Sequence, residues 1–147
     1  MNKAETPKFE ALVAHLGHHC TAGEVLLMGS APLAVRGLRD VNDLDVLVGV
    51  DKFVRLVGMR IPDSVIEDGC LAIITPAGQI QISSNPQAHI QSIEIPYAEL
   101  WRDAEKHLGV NGFLVMSLAH MMEVKLKAGR PKDGDDVRLA RLWLQQQ

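Results

Sequence analysis

The sequence predicts an α/β (α+β) fold, in which a single mixed β-sheet carries helices on one side and ends in a C-terminal helical segment. Helical and extended patterns alternate in the first half, three extended segments follow, and helical patterns return near the end. A length of 147 residues suits one domain over 1–147, with a core over 20–96 and C-terminal helices over 97–147. With 47% hydrophobic but only 4% aromatic residues, that core is expected to be aliphatic.

Five elements are predicted in the first half: a helix opened by Pro7 and ending near Gly17, a strand over 24–28, a short helix over 30–36, a strand over 43–49 and a crossover helix over 51–59. Proline suits the first position of a helix, and apolar residues recur after Pro7 at helical spacing. Ser30 is a candidate N-cap for the short helix. Pro62 ends the crossover helix.

The second half is predicted to hold strands over 64–67, 70–75, 79–83 and 91–95, and helices over 97–107, 117–128 and from Asp133 or Asp135 through Leu144. The fourth of these strands would lie at a sheet edge because Pro96 follows it. Gly129 is the expected C-cap of the helix over 117–128. Asp133 is a candidate N-cap, and Asp136 would lie in the first turn of the last helix.

Two aspartates stand one residue apart in the strand predicted over 43–49. Alternate side chains of a strand share a face, so Asp43 and Asp45 should point the same way, roughly 7 Å apart at Cα. Two carboxylates held together raise each other's pKa unless a cation lies between them. Oxygen ligands on a rigid element suit Mg²⁺, which takes one or two carboxylates together with substrate phosphates. The pair is therefore a candidate magnesium site, or else an exposed face of the strand.

The turn before the short helix is a candidate phosphate-binding element. Gly29 lets the backbone approach a phosphate closely, and the N-terminus of the following helix offers free N–H groups and the positive end of its dipole. Ser30 can donate its hydroxyl to a phosphate oxygen. The alternative is an ordinary helix cap after a turn.

These stretches together resemble the signature of the nucleotidyltransferase superfamily in its small bacterial branch. The resemblance is carried by Gly29-Ser30, by Gly37-Leu38-Arg39, by Asp43-Leu44-Asp45 and by a tail, residues 117–137, that contains Gly129-Arg130-Pro131-Lys132-Asp133. It covers about 40 of the 147 residues, in the family's order. It implies the small nucleotidyltransferase sheet followed by a C-terminal helical piece, which agrees with the fold predicted from the patterns.

The resemblance also implies a third carboxylate on a neighbouring strand, and here the sequence departs from the family. Gln81 stands where an acid is expected; its carbonyl can ligate a cation, but it brings no charge and cannot act as a general base. Glu94 is a candidate substitute. Arg39 and Lys132 are the expected phosphate-binding cations. The alternatives are that Arg39 pairs with Asp40 or caps local structure, and that Lys132 lies in a solvated turn.

The function that follows is transfer of a nucleoside monophosphate from a nucleoside triphosphate, with ATP expected, to a hydroxyl group. Mg²⁺ or Mn²⁺ would bind Asp43 and Asp45. Some small members of the superfamily act as antitoxins or modify a partner toxin, so the acceptor can be a protein or a small molecule. The alternative is a catalytically degenerate module that binds nucleotide or a partner protein without transfer, which Gln81 favours.

Composition argues against other classes of function. The net charge of −3 gives no electrostatic footprint for nucleic acid, so nucleic acid is not an expected partner. No apolar run approaches the roughly 20 residues that a membrane span needs. Cys20 and Cys70 are far apart and fit no metal-binding spacing, which is typical of reduced thiols in a cytoplasmic protein. The adjacent His18, His19 and Cys20 do not form a predicted metal site, because neighbouring side chains do not converge on one ion.

Overall fold

The computed structural model describes residues 7–107 and 110–147. Its helices are α1 Lys8–Leu16, α2 Ala31–Ala34, α3 Val50–Gly58, α4 Pro86–His89, α5 Tyr97–Arg102, α6 Leu118–Ala128 and α7 Pro131–Gln145. Its strands are β1 Val25–Leu27, β2 Leu44–Val48, β3 Ser64–Glu67, β4 Cys70–Thr75, β5 Gly78–Ser83, β6 Glu105–Lys106 and β7 Leu114–Val115. None of the described helices is long and apolar enough to cross a membrane.

The described strands form one mixed sheet in the order β3-β4-β5-β2-β1-β7-β6. Two neighbouring pairs are parallel, β2 with β5 and β1 with β7, and the other pairs are antiparallel. The parallel register places Asp45 of β2 directly beside Gln81 of β5. The mixed α/β sheet predicted from the sequence is therefore confirmed.

Apolar side chains form two cores, one on each face of the sheet. Along β1, Val25 and Leu27 face the first core, whereas Leu26 and Met28 face the second. Helices α1 and α3 cover the first core, and α5, α6 and α7 cover the second. The expectation of helices on one side only is therefore wrong. Central strands that read as unbroken apolar runs are buried on both faces, and both faces need a cover.

Most predicted elements form within a residue or two of their expected bounds, and the cap at Gly129 is confirmed by its left-handed backbone, φ 67°. The strand expected over 91–95 does not form. Ile93 and Ile95 instead bury their side chains in the second core from an irregular segment. Helix α4, which precedes that segment, was not predicted.

The C-terminal segment differs from its expected all-helical form. Helix α5 ends at Arg102, and β6 then pairs with β7, which adds two strands to the sheet within 97–147. Glu105 of β6 accepts a hydrogen bond from Arg36 Nη2 at 2.6 Å, a contact across 69 residues that no local pattern reveals. Helix α7 begins at Pro131 rather than at Asp133 or Asp135. Asp133 lies at its third position, where its carboxylate accepts from the backbone N–H of Arg130 at 3.2 Å.

Candidate functional site

One pocket collects the residues that the sequence singled out. It lies between the ends of β1, β2 and β5 on one side and helices α6 and α7 on the other. Every predicted site residue except Glu94 lines it: Gly29, Ser30, Arg39, Asp43, Asp45, Gln81 and Lys132. Asp45 stands two residues before Leu47, which belongs to the second core, so the pocket opens on the sheet face that α6 and α7 cover.

The backbone turn at Gly29 fits closely against the carboxylate of Asp45. Gly29 has φ +64°, and a Cβ atom added there would lie 2.7 Å from Asp45 Oδ2. The backbone N–H of Met28 donates to the carbonyl oxygen of Asp45 at 2.8 Å, which fixes the turn against β2. A residue other than glycine would therefore displace this carboxylate.

Ser30 does not play the capping role expected of it. Helix α2 has only four residues, and the Ser30 side chain caps none of its N–H groups. Its hydroxyl instead accepts a hydrogen bond from Arg39 Nη2 at 2.5 Å. Because a hydroxyl also donates, the Ser30 hydrogen is left for a group in the pocket.

The two aspartates line the pocket together but differ in exposure. Asp43 is exposed, immediately before β2, and its Oδ1 accepts from the backbone N–H of Gln79 at 3.0 Å. The Asp45 side chain is 25% exposed. Burial raises the pKa of the Asp45 carboxyl above its ordinary value; the charge of Asp43 adds to this, while His89, Lys125 and Lys132 oppose it.

The third acid expected on the strand beside β2 is replaced by Gln81, and the other carboxylate that lines the pocket, Asp133, is paired with Arg130 and Lys125. Gln81 lies beside Asp45, and its amide nitrogen donates to Gln79 Oε1 at 3.2 Å. The expectation that Glu94 substitutes for it is not met by the structure. Burial of Ile93 and Ile95 on either side turns Glu94 to solvent, where it is 79% exposed and pairs with Lys127.

A network of buried charges joins α6 and α7 to the Gly-Ser turn. Arg39 Nε and Nη2 donate to the two carboxylate oxygens of Asp136, at 2.6 and 3.0 Å. Lys125 Nζ lies 2.8 Å from Asp136 Oδ2 and 3.5 Å from Asp133 Oδ1. Burial raises the pKa of the Asp136 carboxyl, but hydrogen bonds from Arg39 and Lys125 outweigh it and hold the pKa below its ordinary value. Arg39 is thus a paired cation that positions Ser30.

Lys132 is the pocket cation that makes no ion pair with any described residue. It is exposed in the first turn of α7, and its charge acts on the Asp45 carboxyl. The other basic side chains of the pocket, Arg39, Lys125 and Arg130, each pair with a carboxylate. An incoming anion therefore meets Lys132 as its first available charge.

His89 is a pocket residue that the sequence analysis missed. It lies in α4, its side chain is fully buried, and its Nδ1 lies 3.7 Å from Asp45 Oδ1. A local signal for α4 does exist. Asn85 followed by Pro86 is an N-cap with proline at the first helical position, and the Asn85 side chain accepts from the N–H of Gln87. Lys125 gave no such signal, because a lysine on an amphipathic helix is usually solvated.

A second cluster of ligating side chains lies outside this pocket. Among the described residues, one group of three His, Cys, Asp or Glu side chains brings its ligand atoms within 4.8 Å of one another: Glu99, Asp103 and His120. Arg102 donates to both carboxylate oxygens of Asp103 at 3.0 Å and lies 3.6 Å from Glu99. Arg102 therefore already offsets one of the two negative charges of this cluster.

The fold is nucleotidyltransferase-like. The structure superposes on the crystal structure of a Thermotoga maritima protein described as a candidate nucleotidyltransferase, with a TM-score of 0.52 over 95% of this chain and 91% of that one. The two sequences are 16% identical, so the similarity concerns the fold. No protein-family profile and no curated protein sequence matches the chain.

Proposed function

We propose that the protein is a nucleotidyltransferase that moves a nucleoside monophosphate from a triphosphate, with ATP as the expected donor, to a hydroxyl of a protein or small-molecule acceptor. The observation that carries the proposal is that Asp43 and Asp45 share one pocket with the Gly29-Ser30 turn and with Lys132. The nucleotidyltransferase-like fold supports it. The cytoplasmic location expected from the sequence stays a prediction.

The donor set fits a divalent cation. Two carboxylates offer the oxygen ligands that Mg²⁺ and Mn²⁺ take, and the absence of a side chain at Gly29 leaves room for the Asp45 carboxylate to face the pocket. Asp43 and Asp45 would hold the ion. When bound, it would neutralise charge on the triphosphate and on the leaving pyrophosphate.

The chain's own groups would bind and orient the triphosphate. The backbone at Gly29 can approach a phosphate closely, the Ser30 hydroxyl can donate to a phosphate oxygen, and Lys132 supplies an available positive charge. In the transfer, the acceptor oxygen bonds to the α-phosphorus, and the bond from that phosphorus to the oxygen leading to the β-phosphate breaks. Pyrophosphate leaves, and the hydroxyl proton passes to solvent or a base.

A specific observation favours a second candidate function, a degenerate module that binds nucleotide or a partner protein without transfer. Gln81 replaces the expected acid beside Asp45, and Glu94 lies outside the pocket. Losing a general base typically costs about 10²–10⁴ in rate, while nucleotide binding is retained.

Two measurements on the same protein separate these functions. Calorimetry with ATP and Mg²⁺ or Mn²⁺ reports binding, and α-labelled ATP incubated with candidate acceptors reports transfer. Transfer that Asp45→Asn abolishes supports the enzyme, and binding without transfer supports the degenerate module. The control is Asp135→Asn, at a 70% exposed carboxylate outside the pocket, which should change neither measurement. Absence of nucleotide binding would overturn the enzyme and the nucleotide-binding form of the degenerate module.

A further inference from the structure

The orientation of the His89 ring is fixed by the backbone of β2. Its Nε2 lies 2.8 Å from the carbonyl oxygen of Val46. A carbonyl oxygen can only accept, so Nε2 carries the hydrogen of this bond. In the neutral ring the other nitrogen, Nδ1, then holds a free lone pair. The hydrogen bond of one ring nitrogen determines the role of the other. A histidine held in this way therefore offers its second nitrogen as a potential metal ligand in a fixed orientation.

His89 Nδ1 has no hydrogen-bond partner among the described residues, although it is buried. Buried polar side-chain atoms are nearly always satisfied, so an unpaired one calls for an explanation. The nearest carboxylate atom in an ion-pair contact is Asp45 Oδ1, at 3.7 Å. This separation is longer than a hydrogen bond, which spans about 2.7–3.2 Å between heavy atoms.

The same separation suits two ligands of one metal ion. With metal–ligand bonds of about 2.0–2.2 Å, two ligand atoms on one ion lie up to roughly 4 Å apart. When the His89 ring is neutral, its Nδ1 lone pair and the Asp45 carboxylate repel each other across 3.7 Å, and a cation between them removes the repulsion. Position and chemistry therefore agree on a cation that touches both His89 Nδ1 and Asp45 Oδ1.

We infer that His89 is a metal ligand of this pocket and supplies through nitrogen what the missing third acid would have supplied through oxygen. This inference builds on the proposed function, since the ion would share Asp45 with that cation site. Among the described residues, Asp43, Asp45 and His89 do not bring three ligand atoms within 4.8 Å of one another, so the inference concerns the pair of Asp45 and His89. A mixed nitrogen and oxygen site favours Mn²⁺ over Mg²⁺. Imidazole suits transition metals, whereas Mg²⁺ requires oxygen ligands.

The test uses the free metal ion and the full chain. Mn²⁺ and Mg²⁺ are titrated separately by calorimetry, and Mn²⁺ bound to the wild-type protein is studied by electron spin echo spectroscopy for coupling to a histidine nitrogen. The expected result is Mn²⁺ binding at least about tenfold tighter than Mg²⁺ binding, with a nitrogen coupling.

The variant is His89→Gln, because the glutamine amide can keep the donor that reaches Val46 while the ligating nitrogen is removed. Mn²⁺ affinity should fall about tenfold or more and the nitrogen coupling should vanish, with Mg²⁺ affinity changed far less. The control is His18→Gln, at an exposed residue outside the pocket. This variant should retain both the Mn²⁺ affinity and the nitrogen coupling. A nitrogen coupling that persists in both His18→Gln and His120→Gln excludes the histidines near α1 and the cluster of Glu99, Asp103 and His120 as its source, and this result supports His89 even if His89→Gln does not fold.

The outcomes distinguish this inference from the proposed function. Nucleotide binding with Mn²⁺ that lacks nitrogen coupling, or that His89→Gln leaves unchanged, would overturn the ligand role alone. Manganese coupled to the His89 nitrogen in a protein that binds no nucleotide would support the metal site and overturn the proposed function.

Discussion

The surroundings of the Asp45 carboxylate are formed by individual residues from several elements. Gly29 contributes the absence of a side chain, His89 a buried nitrogen and Lys132 a positive charge. None of these three belongs to the strand that carries the aspartate. The carboxylate therefore depends on residues whose individual replacement changes the pocket without touching the acid.

Replacing Gly29 by alanine tests the close fit of the turn. Its Cβ would lie 2.7 Å from Asp45 Oδ2, so Gly29→Ala should displace the carboxylate and weaken metal-dependent nucleotide binding by about tenfold or more. The matched control is Gly37→Ala. Gly37 also has positive φ, +72°, but a Cβ there meets nothing within 4 Å. Both variants should lose about 1–2 kcal/mol of unfolding free energy, and equal losses of nucleotide affinity, measured by calorimetry, would contradict the argument.

Replacing Asp136 by asparagine tests the buried charge network through pH. The pKa of Asp136 is lowered in the folded state, so its stabilisation is present above the unfolded pKa of about 3.9 and is lost as pH falls through the folded value. Asp136→Asn should cost about 3 kcal/mol at pH 7, because Arg39 and Lys125 lose their shared partner.

The difference in unfolding free energy between wild type and Asp136→Asn should shrink as the pH is lowered below about 4, measured by urea unfolding at several pH values. The control is Asp135→Asn. Asp135 pairs with Arg138 on the surface, where both side chains are about 70% exposed, so its effect should stay within about 0.5 kcal/mol. If the difference in unfolding free energy between wild type and Asp136→Asn does not depend on pH, the buried charge network is excluded as its cause.

At the scale of elements, the sequence predicts what local patterns encode and misses what long-range packing decides. The strands over 64–67 and 70–75 form with their predicted bounds, because short apolar runs bounded by turn residues define them. Strands β6 and β7 are two residues each. Strand β7 pairs with β1, which is far away in sequence, and β6 pairs with β7. No short window encodes such a contact.

The same distinction applies to the site. One short stretch of the sequence contains Gly29, Ser30, Asp43 and Asp45, so their spacing is enough to predict that they lie close together. Lys125 lines the pocket, and Asp136 contacts Arg39 of the lining, only because α6 and α7 pack on the second core. Helix packing of this kind leaves no mark in residue spacing.

The N-cap of α6 is a local feature with a measurable contribution. Ser117 Oγ accepts from the backbone N–H of His120 at 3.0 Å, and Ser117→Ala removes this bond at the start of the helix that carries Lys125. The unfolding free energy should fall by about 1 kcal/mol in urea titration. The control is Ser92→Ala in the turn after α4, which should change it by less than about 0.5 kcal/mol. A loss of similar size in both variants would contradict the capping role.

At the scale of the whole molecule, the pocket is a junction between the sheet and the helices of the second core. Its lining comes from β1, β2 and β5 with their adjoining turns, and from α4, α6 and α7. The links across this junction are charged, Arg39 to Asp136 and the available charge of Lys132 opposite Asp45. A triphosphate with its cation would add further links between the two parts.

A ligand that bridges the junction should stabilise the entire fold, because unfolding requires its release. At a concentration of ATP and Mn²⁺ about 100 times the dissociation constant, the unfolding free energy should rise by about 2.7 kcal/mol. For a chain of this size, that corresponds to roughly 8 °C in the midpoint of thermal unfolding.

Asp45→Asn should lose nearly all of the shift, and Lys132→Gln should lose part of it because one phosphate-facing charge is gone. The control Lys127→Gln, at a lysine paired with Glu94 outside the pocket, should retain the shift. An undiminished shift in Asp45→Asn would mean that the nucleotide binds elsewhere on the protein.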